Sequence, residues 1–322
     1  MAFWSPADTR VLFQAVAQAP SVHNTQPWVM ELHERNVLLY ERWDVKLPHH
    51  DPTGRDRLLS CGAALTNLEL AMRHLGWETD TVLFPDPAHP DQAATVEAVR
   101  RRQPTENEQE LYDAIALRQS QRFGFDGEPL TTEEIHTVEH ALLAHRVGVR
   151  RVADRTEASV IAGLTEHTAK VLRHDGGYLR ELRSLIIDRG HGRAGIPADR
   201  IGHGLFGGLI HSGDRVPDHD VLTSRIAKEC VLIVETVDDT KWDHVRAGAA
   251  IQRGWLAATA LGLAASLITQ PLQLPEVRAG LSEQLCLPGF PHGLLRVGRS
   301  QRAVNPVHAA RTPTWSDKAR RN

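Results

Sequence analysis

Two stretches of this 322-residue chain, GAALTNLELAMRHLGW from Gly62 and GAAIQRGWLAATALGL from Gly248, carry Gly-Ala-Ala, Leu-Ala and Leu-Gly at the same offsets. Both have helical apolar spacing, and in both a strand-like run precedes the segment and another follows it. Two amphipathic helices rich in Ala and Leu can coincide by chance, but the matching strands favour duplication, with two related halves, residues 1–104 and 105–322, within one domain spanning 1–322. The architecture it implies is α+β, with helices flanking a central mixed or antiparallel sheet.

Local punctuation fills in that frame. Ser5 before Pro6, with Asp8 behind them, starts a helix that runs to about Gln18 and is ended by Pro20, which has no N–H to continue the ladder. WVMEL and VLLYE around HERN read as a hairpin, and a helix through Leu58, Leu65, Leu68, Met72 and Leu75 stops at Gly76. Strands at DTVLFP and ATVEAV come next. The second half carries helices at ENEQELYDAIALRQ, after a Thr131/Glu134 capping box, at EASVIAGLTEHTAKVL and at GYLRELRSLIID. Its strands are VGVRRVA, CVLIVETV and GLLRVG, with a short helix at PEVRAGLSEQL. Residues 189–220 form an irregular stretch rich in Gly, Pro and His; a segment of that length inside a compact domain is usually either functional or disordered, and its functional reading is a lid.

Several functional classes fall away on composition. A net charge of -3 gives no electrostatic footprint for nucleic acid or an anionic membrane. Cys61, Cys230 and Cys286 lie too far apart for a disulfide framework or a closed zinc site, which points to a reducing cytoplasm. The opening MAFWSPADTR lacks the pattern of a secretory signal, and the apolar run from Trp255 to Ile268 is shorter than the ~20 residues a membrane span needs. GHGLFG from Gly202 spells a dinucleotide fingerprint, but no strand precedes it and no amphipathic helix comes after it. PHHD at His49–Asp51 and PDHD at Asp218–Asp220 place ligand types side by side rather than at converging spacings, so no metal site is expected.

Two motifs remain. In APSVHNTQPW, Pro20 and Gln26-Pro27 rigidify a turn that displays Ser21 and Asn24 beside unpaired backbone N–H groups, a setting suited to the polar edge of a flat heterocycle. As a plain connection, the same Ser and Asn would only bond the local backbone. In RQSQR, Arg118, Ser120 and Arg122 alternate as the chain leaves a helix, so two guanidiniums and a hydroxyl can face one way and clamp a phosphate. The competing reading is a solvated basic helix end.

Together the two motifs resemble the FMN-dependent nitroreductase family, and more closely its Acg-like branch. That family carries R-x-S-x-R near the start of its fold and a P-S-x-x-N-x-Q-P-W loop after the next helix, and GAAIQRGWLAATALGLAASLITQP resembles its central helix and following strand. The similarity extends over most of the chain. Ordinary members are homodimers in which one subunit's R-x-S-x-R and the other's P-S-x-x-N loop hold each flavin. Here the loop belongs to the first half and R-x-S-x-R to the second, so one chain can imitate the dimer and act as a monomer. WSPADTR has no R-x-S-x-R and LLAHRVGVRR has no Pro-Ser-Asn-Gln loop, which implies one FMN per chain.

By this resemblance Arg118, Ser120 and Arg122 hold the phosphate, ribityl chain and pyrimidine edge. Pro20, Ser21, Val22, Asn24 and Gln26 line the isoalloxazine, Thr269, Gln270 and Pro271 run beside its reactive N5, and Arg311 approaches the phosphate, although AARTP departs from the branch's Pro-Arg-Arg-Pro. The function implied is a flavin oxidoreductase that takes hydride from NAD(P)H and passes it to a nitroaromatic or quinone-type acceptor. The alternative is a protein that binds or stores FMN under a lid and turns nothing over. No catalytic acid or base stands out from the sequence.

Overall fold

The computed structural model describes residues 3–122, 124–187, 195–197 and 218–300. Its first half begins with helix α1 (Pro6–Ala17), closed at its start by the Ser5/Asp8 capping box, and continues with the hairpin β1 (Trp28–His33) and β2 (Asn36–Glu41). Then come helix α2 (Arg55–His74) and strands β3 (Trp77–Leu83) and β4 (Gln92–Arg101). Helix α3 (Glu106–Leu117) leads into the second half, which repeats the pattern with α4 (Thr132–Leu142) and β5 (Val147–Arg151).

At that point the second half departs from the first. Helices α5 (Arg155–His174) and α6 (Gly176–Leu185), the two-residue strands β6 (Ile186–Ile187) and β7 (Ile196–Pro197), and helix α7 (His219–Ile226) intervene before β8 (Cys230–Thr236). The pattern resumes with α8 (Lys241–Ala260) and β9 (Ala264–Ile268), and helix α9 (Pro275–Gln284) precedes β10 (Phe290–Gly298). Helix α7 starts inside the stretch expected to be irregular, with Asp218 as its N-cap. Most of the expected lid, all of GHGLFG, and Arg311 lie outside the described residues.

The fold is α+β, and the antiparallel form of the expected sheet is realised as two separate four-stranded sheets. Their orders are β1-β2-β4-β3 and β5-β8-β10-β9, so the strands take corresponding places in both halves. Every pairing within these two sheets is antiparallel. The sheets are joined through α2 and α8, which cross at the centre of the molecule and are apolar or small around most of their circumference, the pattern of helices packed on every side.

Glycine sets that crossing. A Cβ on Gly62 would lie 2.1 Å from the carbonyl oxygen of Val245, and one on Gly248 would lie 2.0 Å from that of Leu59. Each contacted carbonyl stands three residues ahead of the other helix's glycine, so the two contacts are reciprocal. Two hydrogen bonds cross the seam between buried polar groups: Thr66 Oγ1 donates to Ala249 O at 2.9 Å and Gln252 Nε2 to Asn67 Oδ1 at 2.7 Å. Such pairing offsets the loss of water that these groups suffer in a tightly packed interior.

Candidate active site: a pocket where the two halves meet

After α1, Pro20 turns the chain and Ser21 organises the loop: its Oγ accepts Gln26 N at 3.0 Å and its carbonyl accepts Asn24 N at 3.0 Å. His23, Asn24 and Gln26 adopt positive φ values of 47°, 58° and 48°. Asn and His are the commoner non-glycine occupants of that left-handed region, whereas Gln is strained in it, and such a run of positive φ in one loop is characteristic of sites where backbone groups must be presented outward. Ser60 on α2 fastens the loop, accepting Val22 N at 3.0 Å while donating to Asp56 O at 2.6 Å.

The opposite wall comes from the second half. Thr269, Gln270 and Pro271 come directly after β9, and the first turn of α2 pins them: Thr269 Oγ1 donates to Asp56 Oδ2 at 2.5 Å, and Arg55 Nη1 to Leu272 O at 2.8 Å. Arg55 and Asp56 are both buried and form an ion pair at 3.4 Å. The RQSQR segment runs alongside β9, bridging Ser120 to Ala265 in parallel, with Gln121 N donating to Ala265 O at 2.8 Å.

These pieces enclose one pocket. Of the residues selected from sequence, Pro20, Ser21, Val22, Ser120, Arg122, Thr269, Gln270 and Pro271 all line it. Asn24 and Gln26 do not line it and instead shape the loop, while Arg118 sits behind the wall, 3% exposed, its guanidinium 4.7 Å from the ring centre of Trp255. The alternation expected to aim all three RQSQR side chains one way thus holds for Ser120 and Arg122. Apolar walls come from Leu59, Ala63, Ile251 and Trp255, and Thr165 of α5 reaches the rim.

Two histidines of the lining are not singled out by the sequence motifs. His23 lies inside APSVHNTQPW, where Ser and Asn carry the expected polar contacts, and His50 lies in PHHD, whose spacing speaks only to metal binding. His50 Nδ1 is 2.9 Å from Glu181 Oε1, and its ring stacks on Tyr178 at 4.1 Å and meets His23 edge-on at 4.4 Å. Tyr178 Oη in turn accepts a hydrogen bond from Gln270 Nε2. Glu181 and Tyr178 belong to α6, so the α5–α6 insertion is seated on the pocket.

Burial dominates the acid–base behaviour here. It drives His23 well below the usual imidazole range, helped by His50 and Arg122. It lowers His50 as well, with Glu181 opposing. Asp51, which accepts the N–H groups of Asp56 and Arg57 at 3.0 and 2.8 Å, is pushed up to about 7 by burial and then by the Asp56 charge.

The donor set suits a flat, phosphate-bearing heterocycle. Arg122 and Ser120 supply charge and a hydroxyl on one side, apolar walls bound a slot, and His50 Nε2, on a lining residue, is a buried atom without a hydrogen-bond partner. A metal is suited less well. Asp239, His244 and His292 bring ligand atoms within 4.8 Å of one another, but Arg278 grips the Asp239 carboxylate at 2.5 and 2.7 Å and His292 Nε2 faces Thr236 Oγ1 at 2.5 Å. Burial works against the Asp239 charge, yet the Arg278 and His244 hydrogen bonds outweigh it and hold the carboxyl well below its usual range.

Set beside known proteins, residues 220–299 match the nitroreductase family model. A Mycobacterium tuberculosis protein provisionally named NAD(P)H nitroreductase Rv3131 is 31% identical over 312 residues, covering 92% of this chain and 87% of its own. A second protein of that organism, provisionally named NAD(P)H nitroreductase acg, is 28% identical over 311 residues, covering 92% and 90%. Among solved structures, a nitroreductase with bound FMN from Desulfitobacterium hafniense aligns over 66% of this chain and 97% of its own, at 18% identity and a TM-score of 0.41. Among the described residues, no helix is long and apolar enough to cross a membrane.

Proposed function

Because the chain belongs to the nitroreductase family, we propose that it is an FMN-dependent oxidoreductase that takes electrons from NAD(P)H and delivers them to a nitroaromatic or quinone-type acceptor. The observation that carries this reading is the convergence, in one pocket, of the Pro20–His23 loop from one half with Ser120, Arg122 and Thr269–Pro271 from the other. When bound, FMN supplies the redox chemistry, accepting hydride at N5 and releasing it to the acceptor.

The protein's part is to bind and orient. Arg122 offers a permanent charge and a planar fork of donors to the phosphate-bearing side, and Ser120 a hydroxyl beside it. Leu59, Ala63, Ile251 and Trp255 keep water from the slot. The Arg55–Asp56 pair fixes the backbone of Thr269–Leu272, so that groups flanking the slot are in place before a ligand arrives. One chain supplies both halves of the pocket, which supports a working monomer with one flavin.

One observation favours the second reading, that of an FMN-holding protein. Helix α6 lies against the pocket through Tyr178, bonded to Gln270, and Glu181, bonded to His50, which adds cover to the site. Anaerobic titration of the FMN-loaded protein with NADPH and NADH, following the visible flavin absorption, separates the two. Bleaching at one flavin per chain supports the oxidoreductase. Tight binding without bleaching, while dithionite still reduces the flavin, supports the holding protein and sinks the oxidoreductase.

A further inference from the structure

Resting on the flavin reading above, we propose that His50, oriented by Glu181, is the proton carrier of this pocket: its Nε2 takes up a proton as the bound flavin gains an electron pair, then gives it to the oxygen of a quinone-class acceptor as hydride is transferred.

The orientation comes first. Glu181 Oε1 accepts both His50 N, at 2.7 Å, and His50 Nδ1, at 2.9 Å, while Oε2 accepts His49 N at 3.1 Å. A carboxylate so placed keeps the ring proton on Nδ1 and leaves the lone pair on Nε2. That atom is buried without a hydrogen-bond partner, on a side chain that is 2% exposed and belongs to the pocket lining. A buried acceptor left unpaired is costly, and such groups in folded proteins call for a specific explanation. The ring cannot easily turn away, because Tyr178 covers one face and His23 abuts it edge-on. Through Tyr178 Oη and Gln270 it is also tied to the Thr269–Pro271 segment.

The charges around the imidazole explain why it carries a proton only when needed. Glu181 of α6 and Asp56 of α2 favour the charged ring, while His49 on the same loop opposes it. His23 touches the ring and is itself faced by Arg122, and Asp51 lies one residue along the chain. Burial tips this balance toward the neutral ring. Negative charge arriving in the pocket with an electron pair tips it back, since a nearby opposite charge favours the protonated form.

The step balances. The reduced nicotinamide gives a hydride, two electrons and one proton, and the imidazole takes a second proton from water. A quinone then receives the hydride and the Nε2 proton and leaves as hydroquinone, returning both flavin and imidazole to their starting states. Glu181 acts here as a positioning residue.

The test counts protons. The midpoint potential of the FMN-loaded protein is measured against pH, and its slope gives the protons bound per electron pair. His50→Gln, which keeps an amide near the Nε2 position, is expected to take up about one proton fewer than the unaltered protein near neutral pH, and Glu181→Gln to lie between them. In parallel, nitrogen NMR of the unaltered protein is expected to find His50 neutral with flavin oxidised and doubly protonated with flavin reduced. An unchanged proton count in flavin-bound His50→Gln overturns the proposal. So does a His50 ring that stays neutral in the reduced protein, a result that needs no variant to fold. Failure of the unaltered protein to bind FMN defeats the flavin reading itself, and the carrier role with it.

Discussion

Gly248→Ala tests the crossing on which both the fold and the pocket depend. The added methyl would sit 2.0 Å from Leu59 O and 2.6 Å from both Leu59 C and Leu59 Cα, all of them backbone atoms of α2 that no side-chain rotation can move. Relief requires α2 and α8 to part by more than an ångström, since real Cβ contacts essentially never fall under 3.0 Å. Overpacking of this kind costs about 1–3 kcal/mol, and the rigidity of the contacted atoms puts this substitution at the upper end. Replacing an interior helical glycine by alanine restores about 1 kcal/mol of helix propensity, so a net loss of roughly 2 kcal/mol is expected. Gly280→Ala is the natural control, because its new Cβ would meet only the side-chain tips of Leu164 and Gln284, at 3.3 and 3.5 Å. Urea unfolding should show a lower midpoint for Gly248→Ala and an equal or higher one for Gly280→Ala. A Gly248→Ala protein as stable as its parent, with unchanged flavin affinity, would refute the claim that backbone contact between α2 and α8 sets the pocket.

Arg122→Ala should weaken FMN binding by about tenfold to a hundredfold, the range expected for one charge-assisted hydrogen bond; fluorescence titration giving unchanged affinity would remove Arg122 from the site. Arg118→Ala should lower stability as well as affinity, because its guanidinium packs against Trp255 behind the pocket wall, and a normal unfolding midpoint would contradict that placement. Asp51 has its carboxyl pKa raised from 3.8 to about 7 by burial, so its contribution to stability is fully present below about 4 and is lost as pH rises through about 7. Asp51→Asn should therefore flatten the decline in unfolding free energy between about pH 4 and pH 7, and parallel pH profiles for parent and variant would rule the assignment out.

The sequence disclosed much of this fold because its signals were local. Ser5 with Asp8 and Thr131 with Glu134 both close as capping boxes, since each needs only a side chain and a backbone N–H three residues apart. The division into two sheets was not legible, because strand alternation tells which face is buried and not which strands share a ladder. Within the site, the short motifs marked Pro20–Val22, Ser120, Arg122 and Thr269–Pro271, all of which reach the pocket. His50 was hidden for a different reason. Its importance comes from Glu181, more than a hundred residues away on a helix of the α5–α6 insertion, and a pairing at that distance leaves no spacing to read. The same holds for Arg55 and Asp56, whose partners at Thr269 and Leu272 lie across the crossing.

The correspondence of the halves also bears on why one flavin site per chain is the better expectation. Measured from the two crossing glycines, Asp56 and Trp242 each stand six residues before, and Thr269 and Leu83 each stand twenty-one residues after. In the pocket, Asp56 and Thr269 are joined by a hydrogen bond that fixes the wall. At the corresponding place in the other half, Trp242 packs edge-on against Phe84 at 5.2 Å, and Lys241 Nζ lies 4.0 Å from the centre of the Phe84 ring. An aromatic pair capped by a cation offers neither the carboxylate that pins the wall nor the backbone-presenting loop, since His145 and Arg146 stand in the connection before β5 where the first half has Ser21 and Asn24 before β1. Trp242→Ser together with Phe84→Gln should then leave the flavin stoichiometry of the chain at one. A second equivalent of flavin bound by that double variant would mean that the lost site is blocked only by bulk, and that the missing loop and R-x-S-x-R are not needed to hold the cofactor.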